Sequence, residues 1–160
     1  MKIAIFVDNF PVRSQTFVIN QVLGLLQLGV DVIVLELASE TQRSKAELDA
    51  IHPNLSQRTV FLLQEQYSPV LGKASVRLNN VLQGLLKKKT RKNTISALNS
   101  KLGQQAKSLL LASIASKQAK PLVFDVILCH FGQNGVIANK LRQIGVLEGK
   151  IATIFHGFDI

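Results

Sequence analysis

Ile151-Ala152-Thr153-Ile154-Phe155-His156-Gly157-Phe158-Asp159-Ile160 is the stretch from which the fold can be read. Its first five residues form a nearly continuous apolar run rich in β-branched side chains. That pattern predicts a central strand buried on both faces of a parallel sheet. A histidine, a glycine and a carboxylate follow at once, beyond the strand's carboxyl end, where open α/β sheets bind ligands. The sequence stops one residue later, which predicts the first part of a longer protein.

The remaining composition agrees with a packed α/β chain. At 160 residues, 47% apolar and with mean hydropathy +0.23, the sequence can build a core; a domain of this size buries roughly 70% of its unfolded-chain surface. The run Ile3–Val7 is too short for a signal peptide's apolar region, and no stretch approaches a membrane span. Cys129, the single cysteine, lies in an apolar run and is expected to pack as a small hydrophobe. Having no possible internal disulfide fits a reducing cytosol. The net charge of +9 is concentrated in one segment: Lys73 to Lys120 holds eleven Lys and Arg and no Asp or Glu. Such a segment is a solvated helical face, or a surface for phosphates, nucleic acid or anionic lipid.

In order along the chain, Lys2–Val7 reads as strand one, and Asn9-Phe10-Pro11 as a turn. A helix follows with Ser14 or Thr16 as cap, Val18, Val22, Leu25 and Leu26 on its inner face and Gly29 as its stop. Val30–Leu37 is strand two, making a compact βαβ unit. Ser44–Ile51 suits a short helix and Arg58–Leu63 a third strand. Pro69 opens the basic region. Ala74, Leu78, Val81, Leu82, Leu85 and Leu86 mark an amphipathic helix. The run Lys87–Asn93 separates it from a second helix at about 95–116, with Leu98, Leu102, Ala106 and Leu109 as its stripe. Phe124–Cys129 is strand four. Gly132–Ile144 is a helix with Val136, Ile137, Leu141 and Ile144 inward, and Lys150–Phe155 is strand five. The alternation predicts a Rossmann-like, doubly wound, mainly parallel sheet flanked by helices, as a single domain over 1–160.

That topology gathers three strand ends at one crevice: Asp8-Asn9, His130-Phe131-Gly132 and His156-Gly157-Phe158-Asp159. Polar groups beside helix N-termini make a site for phosphate or sugar. Each group also has a plainer reading. Asp8 could be a turn former, and either histidine a satisfied residue at the core's edge; His52, before Pro53, is unremarkable. Other chemistries lack their motifs: there is no G-x-G-x-x-G, no P-loop, no C-x-x-C and no H-E-x-x-H. Asp8 has no adjacent acid, unlike the phosphoacceptor site of receiver domains. Residues 73–120 contain no aromatic, which argues against single-stranded nucleic acid as a partner.

Three motifs carry a family resemblance. Phe10-Pro11-Val12-Arg13-Ser14-Gln15-Thr16-Phe17, followed by Leu28-Gly29-Val30-Asp31-Val32, resembles the F-P-x-x-S-E-T-F entry of bacterial family 4 glycosyltransferases. Asp125–Gly132 is similar to their D-x-I-x-x-H-F-G, and Thr153–Asp159 to T-x-H-G-x-D. The subgroup resembled builds exopolysaccharides, colanic-acid-like polymers or O-antigens. The resemblance implies the N-terminal, acceptor-side half of a GT-B enzyme that works without a metal and retains anomeric configuration. The sugar-nucleotide donor and an E-x7-E element would then belong to a C-terminal domain outside this chain. It implies His156 near the transferred sugar as the catalytic candidate. Asp8, Ser14, Gln15, Thr16, His130, Gly132, Asn134, Gly157 and Asp159 are the substrate-binding candidates. Gln15 stands where the family often has Glu, and an amide can hydrogen-bond but cannot act on protons.

The expected function is therefore the acceptor-binding domain of a retaining glycosyltransferase acting on a lipid-linked or growing saccharide, silent on its own. The competing class is a non-enzymatic α/β module binding a phosphate-bearing ligand in the same crevice. A lipid-linked acceptor would call for docking at the cytoplasmic face of the cell membrane. Lys87, Lys88, Lys89, Arg91 and Lys92 are the expected contact with anionic lipid.

Overall fold

The structure is a computed structural model and describes residues 1–39, 45–64 and 72–157. Pro69, Phe158 and Asp159 lie outside the described residues. Strands β1 (Lys2–Val7), β2 (Asp31–Ser39), β3 (Thr59–Gln64), β4 (Leu122–His130) and β5 (Leu147–Ile154) form one sheet in the order β3-β2-β1-β4-β5. It is a parallel sheet flanked by helices, the α/β arrangement expected from the sequence. β1 pairs with β2 from Lys2↔Asp31 to Val7↔Glu36, and with β4 from Ile3↔Val126 to Phe6↔Cys129. The order reverses between β1 and β4, so their carboxyl ends flank the switch point where such sheets bind ligands.

The strand buried on both faces is β1, not the Ile151–Phe155 run. Ile3 to Val7 are all buried. β5 stands last in the strand order and its burial alternates along its length; Phe155, just past it, is 63% exposed. An unbroken apolar run does not distinguish a doubly covered strand from one at the end of a sheet, because both suit β-branched residues.

The chain divides into two compact units, one of residues 1–64, 124–135 and 150–160, the other of 65–123 and 136–149. In the first, helix α1 (Thr16–Gln27) buries Val18 and Val22 against Ile3, Ile5, Val7, Val32 and Val34. Leu25 and Leu26 pack at the margin of this cluster, which matches the expected stripe. Gly29 ends the segment at φ +73°, a conformation open to glycine. The expected caps do not form. A short 3₁₀ turn, Arg13–Gln15, leads into α1, the N-cap is Gln15, and no side chain caps it. Helix α2 (Lys45–Ile51) lies where expected, anchored by buried Leu48.

The second unit is mainly helical: α3 (Gly72–Leu86), α4 (Lys88–Ala97), α5 (Gln104–Lys107) and α6 (Leu110–Ala115). Two expectations change here. The basic run is itself helix rather than a spacer, since Lys and Arg are good helix formers and Thr90 and Thr94 turn inward. Arg91 secures the corner by donating from Nε to Leu85 O at 2.7 Å, an otherwise orphaned carbonyl at the end of α3. The long second helix is broken at Gly103 (φ +77°) and Leu109 (φ +59°). The α3 stripe is also rotated: Val81 and Gly84 are buried, while Leu78, Leu82 and Leu86 are exposed. Helix α7 (Gly132–Gln143) buries Ile137 and Leu141, and Ile144 beyond it is buried too, but Val136 faces outward.

Candidate functional site

The site begins with the local geometry at the end of β4. His130 is the last strand residue, Phe131 takes a left-handed conformation (φ +71°), and α7 starts at Gly132. A bulky residue there costs on the order of 1–3 kcal/mol. The tie that holds it is the Phe131 N–H, which donates to Ile154 O at the end of β5 (2.9 Å). Close packing fixes the start of α7 as well: a Cβ on Gly135 would collide with the Thr153 side chain. The buried amide of Asn134 donates back to His130 O (2.9 Å).

This elbow brings the two histidines together. His130 Nδ1 lies 3.1 Å from His156 Nε2, with the ring planes within 11° of parallel. The half-buried His156 ring sits against Phe17, centroid distance 4.4 Å, and Phe131, at 4.7 Å. His130 is fully enclosed, and burial, helped by the neighbouring His156, depresses its pKa to about 4. It is a neutral imidazole at pH 7. Its Nε2, like Asn134 Oδ1, is buried with no hydrogen-bond partner among the described residues. Such an orphaned group costs about 1–3 kcal/mol unless water or a ligand hydroxyl satisfies it.

Asp8 follows β1 at the same carboxyl edge. It keeps contact with solvent, but the protein mass around it raises its carboxyl pKa, opposed by a hydrogen bond from Asn134. Asn134 thus ties the β1 end to the β4 elbow. Asn134 touches both Asp8 and His130, and His130 touches His156, with Gly132 opening α7 and Gly157 exposed beyond His156. Ser14 and Gln15 lie in the 3₁₀ turn that leads into α1, and Thr16 is the first residue of α1. Asp159 lies outside the described residues. Asp125, first residue of its motif, works at the opposite edge, where its carboxylate accepts from the Lys2 backbone N–H at 2.6 Å and ties β4 to β1. The His52 ring Nδ1 lies 2.9 Å from Pro53 O. The reading from sequence missed Phe17 and Phe131 as walls around His156; their place beside motif polar residues was the available signal. No group of metal-ligating side chains occurs among the described residues.

Strand order and flanking helices define a Rossmann-like α/β sheet. Over its whole length the chain is 41% identical to the "Putative colanic acid biosynthesis glycosyltransferase WcaL" of Escherichia coli (strain K12) and 39% identical to the protein of the same name in Salmonella typhimurium. It is 38% identical to the "Amylovoran biosynthesis glycosyltransferase AmsK" of Erwinia amylovora. The chain spans 38% of the length of each of these relatives. No family model matches it, and no solved structure does.

Proposed function

We propose that this chain is the acceptor-side domain of a GT-B, family 4 glycosyltransferase that builds an exopolysaccharide. The observation that carries this reading is the His130–His156 pair, set between two aromatic rings at the switch point of the sheet. The likeness to three polysaccharide-biosynthesis glycosyltransferases, 38–41% identical, supports it. Of the two histidines, His156 is the one a saccharide can reach, and neutral His130 orients it. Phe17 and Phe131 offer apolar faces of the kind sugar rings stack upon. A histidine held there can donate to charge developing on an oxygen during transfer. In this reading the donor is a sugar nucleotide held by a second domain, the acceptor is lipid-linked, configuration is retained and no metal takes part.

The test is transfer by the full-length protein, followed as nucleoside diphosphate released from a panel of sugar nucleotides with lipid-linked saccharides as acceptor. His156→Ala is expected to lower kcat/KM by roughly 10²–10³, the scale of one preorganised donor. Unchanged kinetics would remove His156 from the mechanism, and turnover by residues 1–160 alone would overturn the half-enzyme reading. Docking at an anionic membrane completes the proposal. Its support is the run of exposed Lys87, Lys88, Lys89 and Lys92 that directly follows exposed Leu86. No helix among the described residues is long and apolar enough to cross a membrane.

A further inference from the structure

The corner between α3 and α4 bounds a cavity of about 670 Å³, well within the range of small-molecule pockets. Lys87, Lys88, Lys89 and Lys117 stand on its wall beside Asn80 and Gln83. No Asp or Glu occurs between residues 73 and 120, so these helices bring no carboxylate to Lys87, Lys88 and Lys89. The amino end of α4 opens at the same corner. Its N-cap is Lys87, no side chain caps it, and its first turn contains no acid. The Lys87 N–H donates to Gln83 O and the Thr90 N–H to Lys87 O, so the amides of Lys88 and Lys89 are the ones without a backbone acceptor among the described residues, at the positive pole of the helix.

The wall is preformed. Thr90 Oγ1 donates to Gly84 O (2.9 Å), and Ser116 Oγ to Ser113 O (2.6 Å). Gly84 lets α3 approach so closely that a Cβ there would overlap Ser116 and Thr94. The charge run is also sorted by this geometry. Arg91 is spent on the end of α3, and Lys92 does not line the cavity.

We propose that this cavity binds a phosphate ester bearing at least two negative charges, of which diphosphate is the simplest form. Ammonium groups act as point charges that suit tetrahedral phosphate, and uncapped amides add directed donors. The site is independent of the His130–His156 crevice and of the glycosyl-transfer reading.

Calorimetric titration of the 160-residue chain with inorganic pyrophosphate in low salt tests it. Saturable binding is expected. K88Q/K89Q should weaken it at least tenfold, and K101Q/K107Q, which removes the same charge outside the cavity, should change it less than twofold. Circular dichroism checks that both variants fold. Competition on phosphatidic acid vesicles separates two sources of the ligand. Release of the chain by pyrophosphate would show that the cavity takes a lipid phosphate, and retention with pyrophosphate binding intact that it takes a soluble one. Equal weakening by both double variants, or no saturable pyrophosphate binding by the unaltered chain, would overturn the proposal.

Discussion

His130 Nδ1 lies 3.1 Å from His156 Nε2, so the end of β4 and the segment just past β5 are joined through one ring proton. One ring is enclosed and the other half-exposed. The protein therefore holds a neutral base behind an accessible one.

This pair makes stability depend on pH. His130 has its pKa depressed to about 4 from an ordinary 6.5. Its contribution is fully present above pH 6.5. It is lost as pH falls toward 4, because the unfolded chain takes up the proton first. The loss is on the order of 3 kcal/mol if burial acts in full. Asp8, with its raised pKa, works in the opposite sense, losing stability as pH rises through its folded value. Urea unfolding at pH 7.5 and pH 5 should show the drop in the unaltered chain and a flatter profile in His130→Gln. An unchanged slope would deny the burial effect.

The Gly135–Thr153 contact predicts a second energetic effect. Gly135→Ala should destabilise by about 1–3 kcal/mol through overpacking, even though alanine favours helix. Thr153→Ser removes a methyl but keeps the hydroxyl that a Cβ meets first, so it should rescue little; Thr153→Ala should restore most of the loss. A double-mutant cycle in urea measures the coupling, and additive losses would contradict the collision.

Phe17 is exposed enough that Phe17→Ala should cost little in folding, yet its ring covers His156. Under the proposed function, the full-length protein should show a drop in kcat/KM of about tenfold, of the size that ring contacts contribute. Phe17→Leu should recover stability without recovering activity. Equal activity of all three proteins would exclude a role for the aromatic face.

Lys87, Lys88, Lys89 and Lys92 should together hold the chain on anionic vesicles, at about 1 kcal/mol each near the surface. Changing all four to Gln, with Arg91 kept for its structural bond, should abolish co-sedimentation. High salt should do the same to the unaltered chain. Binding that survives the fourfold change would remove the docking role.

Much of the fold was legible because β1, β2 and β4 are apolar runs separated by helical stripes and stops such as Gly29. The position of β5 was not, since strand order depends on pairing between segments far apart in sequence. The break-up of 95–116 was missed because Leu109 adopts a left-handed conformation that nothing in its residue type announces. The face of α3 was misjudged for a related reason: Gly84 is buried by a close helix contact, which rotates the leucines outward. At the site, the polar residues could be read from their places after strands. The pairing of the two rings, and the second task of Asn134, required the elbow at Phe131.

The hydrogen bond from Arg91 to Leu85 O has a consequence for how the chain is handled. Five basic residues within six positions would be the densest tryptic target in an unfolded chain. Here they form the first turns of a helix whose corner is latched to its neighbour. A protease needs extended backbone, so cleavage at this run must wait for the corner to open. The most basic stretch of the sequence is thus protected by the same fold that displays its charge.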